Sequence, residues 1–358
     1  MSPVYWGVLL AVAVLGNLAQ TNPVLKLHRD GTYSLQPDTG SVILLSSVLI
    51  LVSGLRFWVG TDYGAYYRWY VSDWSRVLDN LIHYKEGGFS LLAKLSRMAW
   101  DDGQSAIFIS AVITVGLYCW TIYEYSPMYI LSMLLYLFMG EWQGSFNGVR
   151  QYLAAAILFA GHRFILDRKL WKYCLIVFVA GMFHTTALVM ILPYFVFNRK
   201  PDITQLVILM IGAFVIRFSY GIMFQLIGGY KGTAIDMRDT YMTNDVNIFR
   251  ILVAFIPVVI YIILCNKESH SREQDFYINV MFFNAFAMVA GMGSTYLARI
   301  GIYTNAAVSI GYAHLFRLID DEKTRKIVGF AVLTIYFLYW LYSIQAGGIR
   351  NFRWIFGT

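Results

Sequence analysis

The stretch "GSFNGVRQYLAAAILFAGHRFIL" (residues 144–166) decides how the chain is read. From Val149 onward it is an apolar run long enough to cross a bilayer as a helix, since about 20 residues span roughly 30 Å of hydrocarbon. Yet it opens with Asn147, Gly148, Val149, Arg150 and Gln151. An amide, a guanidinium and a second amide gain nothing from lipid, so they must face polar partners at one membrane surface.

Comparable runs recur along the whole chain. Its 358 residues are 58% hydrophobic and only 14% charged, and the mean hydropathy is +0.56. A soluble domain of this length needs more polar surface. The expected spans are about 4–20, 41–58, 104–122, 127–140, 149–165, 172–182, 185–197, 203–219, 248–265, 276–293, 298–315 and 327–345. The expected fold is all-α: a polytopic integral membrane protein with about 11–12 transmembrane helices or half-helices, in one integral domain over 1–358. Aromatic residues make up 17% of the chain, and many Trp and Tyr fall near span ends, as interfacial belts require. The first span, "VYWGVLLAVAVLGNLAQ", has no basic segment before it and reads as a retained helix, not a cleaved signal. Cys119, Cys174 and Cys265 lie in apolar spans at unrelated spacings, so neither a disulfide framework nor a metal site is expected. The net charge of +7 suits anionic lipid or an anionic ligand.

Lys and Arg are densest in "HRFILDRKLWK", "NRKPD", "CNKESHSRE" and "FRLIDDEKTRK", which the positive-inside rule assigns to the cytoplasm. All four share one side only if 172–198 is a hairpin with "GMFHTT" at its tip, and this is preferred to one long helix. Both termini are then outside, together with two long segments, about 59–103 and 220–247. In the first, "GFSLLAKLSRMAW" sets Phe89, Leu92, Leu95 and Trp100 on one helical face. That face suits either the membrane surface or the protein's own top.

Five arginines, Arg56, Arg150, Arg217, Arg250 and Arg299, sit at the expected outer ends of spans. Arg56 and Arg217 are expected at helix C-termini, where the dipole favours a cation. Arg150, Arg250 and Arg299 are expected at helix N-termini, where the dipole disfavours one by about 0.3–1 kcal/mol. An anion held between guanidinium groups and free N–H groups would account for them. Asn147 and Gln151 add paired donors and acceptors suited to sugar hydroxyls. For proton chemistry the candidates are Asp62 in "VGTDYGAYY" and His184 in "AGMFHTTALVM", with Glu141 in "GEWQGSFN" in reserve. Turn capping by Asp62 and a neutral, hydrogen-bonded core role for His184 are the structural alternatives. No HExxH, P-loop or GxSxG motif is present, and nucleic-acid binding has no support.

"VGTDYGAYY", "SFNGVRQYLAAAILFAG" and "GMFHTTALVMILPY", in this order and joined by "ARIGIY", resemble the EpsG/Wzy family of polysaccharide repeat-unit polymerases over roughly residues 5–315. The resemblance implies a membrane glycosyltransferase with GT-C-like helical architecture, facing the periplasm or outside from the bacterial inner membrane. It would join undecaprenyl-pyrophosphate-linked oligosaccharide units into O-antigen, capsule or exopolysaccharide. The site residues that follow are Asp62, His184, Arg150 and Arg299 for catalysis, and Asn147, Gln151, Arg250, Arg56, Tyr63 and Glu141 for substrate binding. An arginine clamp can replace a divalent metal, so no metal and no cofactor is expected. Membrane lipid, a flippase and a chain-length regulator are further expected partners. The rival readings are a lipid-linked oligosaccharide flippase or exporter, an O-antigen-ligase-type transferase and a membrane O-acyltransferase. Against the flippase, the polar groups gather at one face and no related halves are visible.

Overall fold

The computed structural model describes residues 1–27, 33–69, 73–83, 85–231, 248–265, 269–292 and 294–357. A helical segment stands at each of the twelve expected spans. In chain order the helices are α1 (Pro3–Thr21), α2 (Thr39–Gly54), α3 (Tyr63–Tyr67), α4 (Trp74–Ile82), α5 (Gly87–Ala99), α6 (Gly103–Tyr125), α7 (Tyr129–Phe138) and α8 (Glu141–Gly144). They continue with α9 (Val149–Gly161), α10 (Arg163–Leu166), α11 (Leu170–Phe183), α12 (Tyr194–Phe197), α13 (Ile203–Lys231) and α14 (Ile248–Ile260). The last four are α15 (Arg272–Ala290), α16 (Thr295–Ala298), α17 (Ile302–Arg317) and α18 (Glu322–Ala346). Among the described residues, four stretches have both the length and the apolarity to cross a membrane: Pro3–Thr21, Gly103–Tyr125, Ile248–Cys265 and Glu322–Ala346. Five shorter apolar helical stretches lie beside them.

Helix ends near a membrane surface still have to satisfy their first N–H groups, and polar caps do so here. Asp38 accepts from Ser41 N at 2.8 Å, Asp102 from Gln104 N at 2.7 Å and Asp321 from Thr324 N at 2.8 Å. Ser271 and Gln274 form a reciprocal capping box at the start of α15. Buried side chains of α1, α2, α6, α7, α9, α11, α15, α17 and α18 merge into one large apolar core, with smaller clusters beside it.

The segment 172–198 folds back on itself. α11 ends at Phe183, and a 3-10 turn over Thr185–Ile191 leads to α12. The Tyr173 hydroxyl donates to Met190 O at 2.9 Å, and its ring stacks on Tyr194. Residues at the two ends of the segment therefore meet, which one continuous helix forbids, and His184 is at the tip. Both termini reach the same face: Ser2 N donates to Arg350 O at 3.1 Å, and Phe57 N to Arg353 O at 2.9 Å.

The structure is helical as expected, with one short local addition: the connection between α1 and α2 carries a two-stranded antiparallel sheet, β1 (Val24–Leu27) and β2 (Tyr33–Gln36). Two expectations change. α13 continues to Lys231, so the first part of the 220–247 segment is helix and Arg217 lies mid-helix; residues 232–247 are outside the described residues. On α5, Phe89, Leu92 and Ala93 are buried, whereas Leu95 and Trp100 are exposed. The packed face therefore points into the protein, at Tyr66, Trp69 and Leu153.

Candidate active site

A cavity of about 200 Å³ opens on the face that carries α3–α5. It lies among the end of α7, α8, the starts of α9, α14 and α17, and the end of α18. Its lining includes Glu141, Asn147, Arg250, Arg299, Asn284 and Asn305. Four of the candidates from the sequence are thus brought together: Glu141, Asn147, Arg250 and Arg299.

Glu141 is the deepest of them. Gly140, at a φ of 88°, turns the chain out of α7 in a conformation that costs a side-chain-bearing residue about 1 kcal/mol or more. The turn delivers the Glu141 side chain, which is 1% exposed. Its Oε1 accepts from Asn305 Nδ2 at 2.9 Å. Asn305 Oδ1 in turn accepts from Asn284 Nδ2 at 2.6 Å, and Asn284 Nδ2 also reaches Thr304 Oγ1 at 2.9 Å. The other carboxylate oxygen, Oε2, is buried without a hydrogen-bond partner. Glu141 lies in the connection between spans. Burial pushes its carboxyl up to about 8, against the opposing pull of the Asn305 hydrogen bond and the Arg250 charge.

Arg250 stands in the first described turn of α14, and its Nε donates to Tyr339 Oη at 3.4 Å. Arg299 occupies a 3-10 turn, Arg299–Gly301, that leads into α17. Both side chains are exposed, and neither forms an ion pair among the described residues. Gln151 is not in the cavity lining; its Nε2 donates to Arg299 O at 2.9 Å and fixes the turn that presents the guanidinium.

Asn147 stands at the rim as a strut. Its Oδ1 accepts from Thr61 N at 2.7 Å, and its Nδ2 donates to Gly347 O at 3.2 Å. Gly60, at a φ of 103°, lets this happen: a Cβ there would sit 2.5 Å from Asn147 Oδ1. The "GTDY" turn is therefore docked against "FNGVRQ". Asp62 itself is exposed beside Thr61 and does not line the cavity. Tyr63 is fully buried, stacked with Tyr67, and its hydroxyl donates to Gln104 Oε1.

Arg150 and His184 form a separate cluster. Both engage Glu86, which precedes α5. Arg150 Nη1 pairs with Glu86 Oε2, and His184 Nδ1 lies 2.6 Å from Glu86 Oε1. The guanidinium also lies over Trp69, 4.7 Å from its centroid. Burial raises the Glu86 carboxyl, but the His184 hydrogen bond and the Arg150 charge outweigh it and hold the group below its usual range. Glu86 adopts a left-handed φ of 53°, a strained position for a non-glycine residue. Arg56 is buried on a third site. It donates to Ser53 O and to Phe146 O, lies over the Phe146 ring, and has no carboxylate partner among the described residues.

The sequence reading did not single out Asn284, Asn305 or Glu86. A lone amide inside "FFNAFAMVAG" and another inside "IYTNAAVSI" were usable signals, because an uncompensated amide in an apolar span is costly.

Several apolar helices, four of them long enough to cross a membrane, with a polar cavity at one face, define a multi-pass helical membrane protein. A model of the EpsG family matches residues 41–355, which is most of the chain, and the chain belongs to that family. Membership supports a polysaccharide polymerase-type role. No curated protein and no solved structure matches the chain.

Proposed function

We propose that the protein joins undecaprenyl-pyrophosphate-linked oligosaccharide units on the outer face of the bacterial inner membrane. The growing glycan is the donor, and the non-reducing sugar of an incoming unit is the acceptor. The observation that carries this reading is a cavity lined by two arginines and by Glu141, whose Oε2 is buried without a hydrogen-bond partner.

In this scheme Arg250 and Arg299 face the pyrophosphate. The acceptor hydroxyl attacks the anomeric carbon of the donor, the bond from that carbon to the pyrophosphate oxygen breaks, and the hydroxyl proton passes to Glu141. Undecaprenyl pyrophosphate leaves with its charge balanced by the two guanidinium groups. A base whose carboxyl titrates near neutrality is matched to removing a hydroxyl proton. The Asn284–Asn305 relay holds one oxygen of Glu141 and leaves the other free for the acceptor. At about 200 Å³ the cavity is smaller than the roughly 300–1,000 Å³ of whole-ligand pockets. It suits the reacting ends, with lipid and oligosaccharide extending outside.

The test is purified protein incubated with one synthetic undecaprenyl-pyrophosphate repeat unit taken from the host's own polysaccharide. A ladder of products supports the proposal. No ladder, with the same lipid crossing vesicle bilayers faster when the protein is present, favours a flippase.

A further inference from the structure

A second cavity, of about 210 Å³, opens at the opposite face, among the ends of α10 and α12 and the start of α15. Arg168, Arg199, Lys200 and Arg272 line it, with His270 and a single carboxylate, Asp275. Asp275 is engaged by His270, whose Nδ1 lies 3.3 Å from Oδ1. None of the four permanent cations forms an ion pair among the described residues. Four like charges converging on one cavity repel each other unless an anion or water intervenes.

The walls are held in place. Asn279, fully buried, donates to Arg199 O at 2.6 Å and accepts from Gln205 Nε2 at 2.6 Å. The Tyr261 hydroxyl donates to Pro201 O at 3.3 Å. The turn bearing Arg199 and Lys200 is therefore pinned by two side chains from the core. Arg168 follows α10 at a φ of 55°, the left-handed position after a helix where glycine is the usual residue. An arginine accepts that strain here, and its side chain lines the cavity. Interface cations that merely mark topology do not require a pinned turn or a strained backbone. A smaller apolar cavity shares Ile165, Phe197 and Phe276 with the basic one, so the charged end passes directly into an apolar wall.

We infer that this cavity binds a phosphate monoanion or diester, of the kind carried by an anionic phospholipid headgroup. The guanidinium groups of Arg168, Arg199 and Arg272 are fitted to phosphate oxygens, and the α15 N-terminus adds its dipole.

The experiment uses the full chain in a neutral detergent and follows thermal unfolding against dihexanoyl phosphatidylglycerol, dihexanoyl phosphatidylcholine and inorganic phosphate. Saturable stabilisation by the anionic lipid and not by the zwitterionic one is expected. Removing a cation that faces a phosphate weakens binding by about fivefold, so Arg199→Ser/Arg272→Ser should weaken it by about 25-fold. Arg168→Gly provides a variant that relieves backbone strain; it should fold at least as well and still bind more weakly. Lys323→Ser, outside the cavity, should leave binding unchanged. Equal stabilisation by inorganic phosphate, lost in the same variants, supports the site with free phosphate as its source. No stabilisation by phosphatidylglycerol or inorganic phosphate, equal stabilisation by phosphatidylcholine, or stabilisation that persists in Arg168→Gly and in the double variant, overturns it.

Discussion

On the face that carries α3–α5, Glu141 and Glu86 each stand close to arginines near helix N-termini, yet the two regions are built oppositely. Glu86 has both carboxylate oxygens occupied, one by Arg150 and one by His184. Glu141 has one oxygen held by a neutral amide and the other unpartnered, while Arg250 and Arg299 stand in the same cavity without an ion pair. The first cluster pairs its charges, with Arg150 Nε left without a hydrogen-bond partner, and ties the loop before α5 to the tip of the 172–198 hairpin. The second leaves charge and hydrogen-bonding capacity unused. Residue types alone do not separate a clasp from a site; the partners do.

Removing the Glu141 charge breaks this contrast most directly. Glu141→Gln should lower turnover by about 10²–10⁴-fold, the usual contribution of general base catalysis, with normal amounts of protein in the membrane. Wild-type turnover should rise with pH through a midpoint near 8, where the Glu141 carboxyl titrates, and level off above it, because the base works only when ionised. A flat profile from pH 6 to 9 would remove Glu141 from that role.

Arg299→Ala and Arg250→Ala come next, each lowering turnover by about 10²–10³-fold. Arg299→Lys should recover only part of the loss, since an ammonium cannot bind phosphate bidentately. Single-turnover assays with the lipid-linked donor separate this from a folding defect.

Arg150→Ala should act on stability. Breaking a fully buried pair costs about 3–5 kcal/mol, and the remaining exposure of 26% and 17% reduces this to about 1–3 kcal/mol. Activity per folded molecule should fall no more than about threefold, on the scale of a lost non-catalytic contact. Glu86→Gln/Arg150→Met should recover much of the stability, because no unpaired charge remains.

Acid gives a smaller effect. The Glu86 carboxyl is depressed in the folded protein, so its stabilisation is fully present above the ordinary value of 4.5. It fades as pH falls through the lower native value. Thermal scans from pH 6 to 3 should show this loss in wild type and a weaker one in Glu86→Gln.

Much of the architecture was legible because a bilayer demands long apolar runs. The helices begin close to where those runs begin, and the basic loops indicated the 172–198 hairpin. The β1–β2 pair and the onward run of α13 were not legible, because no span-length signal marks them. Within the site, "FNGVRQ" stands at the start of α9, but its members diverge in space. Asn147 joins the cavity rim, Gln151 holds the Arg299 turn, and Arg150 points to Glu86. Such divergence is set by 3.6-residue periodicity and by a loop 64 residues upstream. Arginine at a helix N-terminus signalled an anion, and for Arg150 that anion is a carboxylate of the chain itself.

The central claim is that chemistry resides in the Glu141 cavity and not in the Glu86 clasp. The direct measurement is polymer formation from a synthetic undecaprenyl-pyrophosphate repeat unit by Glu141→Gln and Glu86→Gln, purified side by side and corrected for folded protein. The account predicts no ladder from the first and a near wild-type ladder from the second. A ladder from Glu141→Gln with none from folded Glu86→Gln would contradict it and move the reaction to Arg150 and His184.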